Sequence, residues 1–150
     1  MDTITEQTID AISIALDELF NTDSDEYEIY TESIEQGLKE PCFIIQQATN
    51  THTKELKNRY KRQQTFDIAY IAKDKINSKK EINQVIEKLY DGLELIKMGQ
   101  SLIRGSDMSF SSEKDEAHFL VDYNLFISKE QESETMMEKL SSKGGLKSNG

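Results

Sequence analysis

Proline and cysteine each occur once in the 150 residues, as Pro41 and Cys42. A lone thiol has no intramolecular partner, so no disulfide framework holds this chain, and its length suffices to bury a core without one. Flanked by Phe43, Ile44 and Ile45, Cys42 reads as a small buried hydrophobe, and the lack of disulfides fits a reducing compartment. No apolar run approaches the roughly 20 residues that a membrane helix needs. The acidic N-terminus lacks the positive start of a signal peptide, so a cytosolic protein without a membrane partner is expected. Histidine is also scarce. His52 and His118 lie far apart, with no cysteine or carboxylate at metal-ligand spacing near either, so no metal site is expected; His118 suits the polar face of a strand and His52 a loop. The sequence has no nucleophile elbow, Walker loop or glycine-rich dinucleotide motif, and nothing singles out two carboxylates as an acid–base pair. No catalytic residue, cofactor or enzymatic function is expected. Glu35, Glu40 and Asp122 read as caps or ion-pair partners.

Charge is abundant and unevenly placed. The net charge is -10, yet positions 1–40 hold 12 acidic residues and one basic residue, while positions 41–100 hold 7 and 11. The basic excess is concentrated in Lys54, Lys57, Arg59, Lys61 and Arg62, opposed locally only by Glu55. Such asymmetry favours head-to-tail association, in which a positive segment meets a negative one on another molecule. The candidate acidic complement is Asp17, Glu18, Asp23, Asp25 and Glu26. A polyanion would need a sustained basic surface, so specific nucleic-acid binding is not expected. The bland alternative for the basic segment is a solvated loop whose lysines keep an edge strand from pairing.

Periodicity supplies the rest. Thr3 and Glu6 stand at capping-box spacing before Ile9, Ile12, Leu16, Leu19 and Phe20, which predicts a helix over residues 3–21. Alternation at Tyr27, Ile29 and Thr31 predicts a first strand; Gly37 and Pro41 bracket a turn, and the short apolar run from Cys42 to Ala48 predicts a second, central strand. Residues 49–58 are polar and predict a loop. From Arg59 the alternation of Tyr60, Arg62, Gln64, Phe66, Ile68 and Tyr70 predicts a long third strand whose first half leaves the sheet and begins beyond the core, because its inward face starts polar. Ser78 and Glu81 again match a capping box, and the stripe of Ile82, Val85, Ile86, Leu89, Tyr90 and Leu93 predicts a helix over residues 79–94. Gly99 divides Leu95–Ile103 into a small hairpin. Met108–Phe110, a turn over residues 112–116, and alternation from Ala117 to Ile127 predict a closing hairpin. The fold class is α+β: a mixed or antiparallel sheet of about four to six strands, two flanking helices, an extended loop or hairpin and a C-terminal tail. One domain is expected over residues 1–128. Residues 129–150 form a polar extension, a short helix then disorder, in which Met136, Met137 and Leu140 are candidates for docking on a partner. The periodicity of Tyr60, Phe66, Tyr70, Tyr90, Phe119 and Tyr123 fits core packing better than a stacking platform for single strands.

The phrases IEQGLKEPCFII (34–45), THTKELKNRYKRQQTFDIAY (51–70), INQVIEKLYDGLELI (82–96), SLIRGSDMSF (101–110) and HFLVDYNLFI (118–127) resemble phage tail-terminator proteins. These belong to myophage-like prophages and phage-tail-like bacteriocins (tailocins). The resemblance implies a ring, usually hexameric, on the head-proximal end of the tail tube, which stops tube polymerisation and in contractile systems holds the last sheath ring. The implied partners are further copies of the chain, the tube protein, the sheath protein and, in a phage, the head–tail connector. It also implies assembly in the host bacterial cytoplasm and residence in the mature particle. A ring needs two different complementary patches on one subunit, which suits the charge asymmetry. The rivals are a head-completion stopper or adaptor ring, and a monomeric nucleic-acid-binding protein.

Overall fold

Thr3 starts the first helix as its spacing predicts: its hydroxyl accepts from the Glu6 amide at 3.1 Å, and its own amide donates to the Glu6 carboxylate at 2.9 Å. This reciprocal pair satisfies two amides that the helix cannot. The helix, α1 (Ile4–Phe20), buries Thr8, Ala11, Ile12, Leu16 and Phe20 along one stripe. In the computed structural model, which describes residues 2–32 and 36–129, there follow β1 (Glu28–Tyr30), β2 (Cys42–Lys54), β3 (Arg59–Ile71), α2 (Ser78–Gly92), β4 (Leu95–Met98), β5 (Ser101–Glu113) and β6 (Glu116–Ser128). The six strands form one sheet in the order β1-β2-β3-β6-β5-β4. β1 runs parallel to β2, whereas β5 is antiparallel to both β4 and β6, so the sheet is mixed and the α+β expectation is met.

Two strands are longer than hydrophobic alternation predicts. β2 continues to Lys54 through residues expected as loop, and only residues 55–58 turn the chain into β3. The extension is exposed, so it lacks the apolar signature of a strand, yet Thr49, Thr51 and Thr53 are β-branched and suit extended backbone. β5 likewise runs unbroken past Met108, with an irregularity between Ser106 and Ser109 where Asp107 takes φ 51°. A bulge of this kind shifts the side-chain phase, which is why alternation is lost there. The closing turn contracts to Lys114 and Asp115.

Helix α2 begins differently from its expected capping box. Asn77 is the N-cap and makes no side-chain cap bond. The Ser78 hydroxyl instead donates to the Lys114 carbonyl at 3.4 Å, and the Glu81 carboxylate accepts from the Tyr70 hydroxyl and from the amides of Lys73 (2.8 Å) and Asp74 (2.9 Å). Tertiary donors outcompete the local one, and the preceding loop is tied down by them. The apolar stripe of Ile82, Val85, Ile86 and Leu89 is buried as predicted.

The contacts divide the chain into two units, Met1–Asn50 with Gln64–Asn124, and Thr51–Gln63 with Leu125–Gly150. In the first, the helices cover the sheet face that carries Phe43, Phe66, Ile68, Tyr70, Phe119, Val121 and Tyr123, all essentially inaccessible. Phe20 of α1 lies 4.8 Å from the Phe43 ring, Tyr90 of α2 meets Phe119 edge-on at 5.3 Å, and the Tyr123 hydroxyl donates to the Leu93 carbonyl at 2.7 Å. Burying each such aromatic contributes about 1.5–3 kcal/mol, so this face holds the fold. Gln64, expected outside the core, is fully buried: its amide donates to the Thr8 hydroxyl at 3.1 Å, and Thr8 donates to the Ile4 carbonyl at 2.8 Å. The partner on α1 satisfies the amide nitrogen, while Gln64 Oε1 is buried without a hydrogen-bond partner among the described residues.

Candidate interaction surface

In the second unit, the turn between β2 and β3 is closed by two backbone bonds, Glu55 N–H to the Arg59 carbonyl (2.8 Å) and Arg59 N–H to the Leu56 carbonyl (2.9 Å). Lys57 takes a left-handed backbone, φ 55°. The Arg59 guanidinium stacks 4.1 Å over the Phe126 ring and stands 3.8 Å from Glu55. Arg62 donates from Nε to His52 Nδ1 at 3.0 Å, and the His52 ring stacks on Tyr60 at 4.7 Å, with Lys129 also over Tyr60. His52 therefore lies in a strand rather than a loop. Its pKa is lowered by desolvation and then by the Arg62 and Lys129 cations, so it accepts as a neutral ring and leaves the Arg62 charge uncancelled. Among the described residues Lys54, Lys57 and Lys61 have no ion-pair partner. All five predicted cations thus lie on one hairpin.

The predicted acidic residues separate into three groups. Asp17, Glu18 and Asp25 line one open concavity together with Ile14, Glu28 and Ile29. Asp17 also accepts from Asn21, whose amide side chain bonds both the Tyr27 carbonyl and the Tyr27 amide and so fixes the exit of α1. Asp23 is exposed beside this concavity in sequence but does not line it. Glu26 is committed to Lys73 at 2.7 Å. Met136, Met137, Leu140 and the expected tail helix lie outside the described residues, as does Glu35.

Elsewhere the polar residues pair within the chain. Glu40 meets Lys75 at 2.6 Å, Lys75 also meets Asp115 at 3.0 Å, and Asp122 accepts from Thr65 at 2.5 Å. His118 is on a strand as expected, with Nδ1 at 3.1 Å from Asp67 and Nε2 at 2.9 Å from Glu116. Cys42 is fully buried, and its thiol is pushed up to about 11 by burial and then by Glu40. Phe66, Tyr70, Phe119 and Tyr123 are core residues, whereas Tyr60 and Tyr90 are only half-buried. No three side chains of metal-ligating type converge among the described residues, and no described helix is long and apolar enough to cross a membrane.

Sequence reasoning passed over three exposed apolar side chains at these surfaces: Leu56, 80% accessible at the hairpin tip; Phe126 at 55%; and Ile14 at 59% on the outward side of α1. Leu56 is an isolated apolar residue in a polar stretch, while Ile14 and Phe126 fall out of phase with the buried stripe or alternation of their own element, and that mismatch is the signal that could have found them.

The fold is that of a small α+β protein with charged and apolar side chains exposed on α1 and on the β2–β3 hairpin. The sequence pattern of the phage tail terminator protein family matches residues 7–135, and the chain belongs to that family. It is accordingly a structural component of the phage tail and associates with other tail components. No curated protein matches the chain. One similar solved structure is 8% identical, with 85% of this chain and 97% of the other covered at a TM-score of 0.43.

Proposed function

We propose that the chain forms a closed ring, a hexamer in the usual case, on the head-proximal end of the tail tube, where it stops polymerisation. In a contractile particle it also anchors the last sheath ring, and in a phage it offers the surface that meets the head–tail connector; a headless bacteriocin would carry it as the final cap. The chain performs no catalysis in this reading. Assembly takes place in the host bacterial cytoplasm, and the ring stays in the finished particle. The observation that carries the reading, beside family membership, is the presence of two unlike surfaces on one chain: a cationic hairpin whose Lys54, Lys57 and Lys61 have no ion-pair partner among the described residues, and an acidic concavity on α1. Rings close through heterologous contacts between unlike patches, and opposite charge selects the correct register and suppresses the wrong one.

The test is charge reversal at Lys57, Arg59 and Arg62 to glutamate in the intact chain. The isolated subunit should remain folded, because exposed ion pairs of the Arg59–Glu55 kind contribute only about 0–1 kcal/mol. Electron microscopy should then show tails of uncontrolled length with unoccupied ends. Normal tail length and full occupancy in a folded variant would refute the role of the hairpin.

A further inference from the structure

The hairpin tip carries an apolar knob that nothing in its own unit covers. Leu56 stands 80% accessible between Lys54 and Lys57, on a turn closed by two backbone bonds. Ile76 is more exposed still and follows Lys73 and Lys75 in the chain, but both of those lysines are consumed by Glu26, Glu40 and Asp115. The lysines beside Leu56 have no ion-pair partner among the described residues, so this tip offers an apolar centre with a cationic surround.

The matching surface is the outward side of α1. Ile14, 59% accessible, stands between two concavities. One is a groove of ≈ 490 Å³ floored by Ala15, Leu19 and Gly92, flanked by the exposed Leu95 and Leu102, with Glu18 and Lys97 as its charged lining. The other presents Asp17, Glu18, Asp25 and Glu28. An apolar anchor in a pocket, rimmed by charge of opposite sign, is the arrangement that concentrates binding energy and sets register in protein contacts.

We propose that the hairpin tip of one copy docks on α1 of the next copy, with Leu56 seated against Ile14 in the groove and Lys54 and Lys57 facing Asp17 and Glu18. The contact is heterologous, so each copy uses its hairpin on one neighbour and its α1 on the other; it rests on the ring reading and names the surfaces that build the ring. Because Ile14 is exposed in the subunit, replacing it leaves the core intact, and circular dichroism of the Ile14→Asp chain checks this.

Two measurements on the full chain decide the matter. The first is oxidation of a Leu56→Cys/Ile14→Cys chain on assembled tails, with the buried Cys42 as an inert background. A reducible ladder extending beyond the dimer, absent from either single-cysteine variant, is expected. The second is incorporation of the charge-reversed Lys57→Glu chain into tails. It should fall roughly tenfold, the loss of one good interfacial contact, and recover when Glu18→Lys is added. Assembled tails with no ladder, or full incorporation of a folded Ile14→Asp chain, would overturn this contact while leaving the ring standing. Wild-type chain found away from tail ends, with tubes growing past their normal length, would overturn the ring and the contact together.

Discussion

Removing the Glu81 carboxylate should loosen the entry to α2 far more than an ordinary helix-surface mutation. One carboxylate serves three donors, the Tyr70 hydroxyl and the amides of Lys73 and Asp74. Hydrogen bonds to a charged acceptor contribute about 1.5–3 kcal/mol each, but the two amides are exposed and water replaces much of what they lose. Tyr70 is different: it is 1% accessible, so its stranded hydroxyl incurs most of the desolvation cost of an unpaired polar group. The sum for Glu81→Ala is about 3 kcal/mol, and for Glu81→Gln, which keeps one acceptor oxygen, about half of that. Urea unfolding followed by circular dichroism should show a lowered midpoint at unchanged slope, and heating should show a melting temperature lower by roughly 10 °C for the alanine variant. Tyr70→Phe alone should cost about 1 kcal/mol, and combined with Glu81→Gln it should cost less than the sum, because the two side chains share one bond. Glu81 variants within about 0.5 kcal/mol of wild type would refute the idea that this carboxylate, rather than an N-terminal cap, secures the helix.

His118 gives a pH dependence with a definite sign. Partial burial, the largest single influence, works against its charged form, but Asp67 and Glu116, one at each ring nitrogen, outweigh it and leave the pKa raised above 6.5. The contribution of this group to stability is therefore complete below pH 6.5 and is lost as pH rises through the folded value. Unfolding midpoints measured from pH 5.5 to 8.5 should show that decline, and His118→Asn should flatten it; equal slopes would sink the assignment. Cys42, buried and with its thiol raised to about 11, should resist a thiol reagent at pH 8 in the native protein and react promptly in urea. Rapid native labelling would mean that the strand around Pro41 opens far more readily than its packing suggests.

How much of this was legible in the sequence depended on whether a pattern was local. The capping box of α1 and the buried stripe of α2 were readable because every partner lies within a turn or two of helix. The capping box of α2 matched the same spacing and failed, because Tyr70 and the loop after β3 reach Glu81 only once the sheet is built. Strand ends were hidden for a related reason. In β2 the apolar run stops at Ala48, yet the strand continues, since its polar half is held by backbone pairing that leaves no hydrophobic trace. Gln64 was misplaced because a polar residue predicts exposure unless its partner, here Thr8 on a distant helix, is known.

The charged surface was legible in sign but not in availability. Counting residues credits the N-terminal third with all of its carboxylates, yet Glu26 and Glu40 are consumed by Lys73 and Lys75, which the same count credits to the basic middle of the chain. Those pairs cancel inside one molecule and can steer nothing outside it. What remains is narrower and more directional than the raw asymmetry: Lys54, Lys57 and Lys61 unpaired among the described residues, Arg62 on a neutral histidine, and the carboxylates that line the concavity beside Ile14. Exposed charge in water contributes little affinity by itself. The proposed ring contact therefore needs an apolar centre that excludes water around those charges, and Leu56 and Ile14 are exposed apolar side chains beside them.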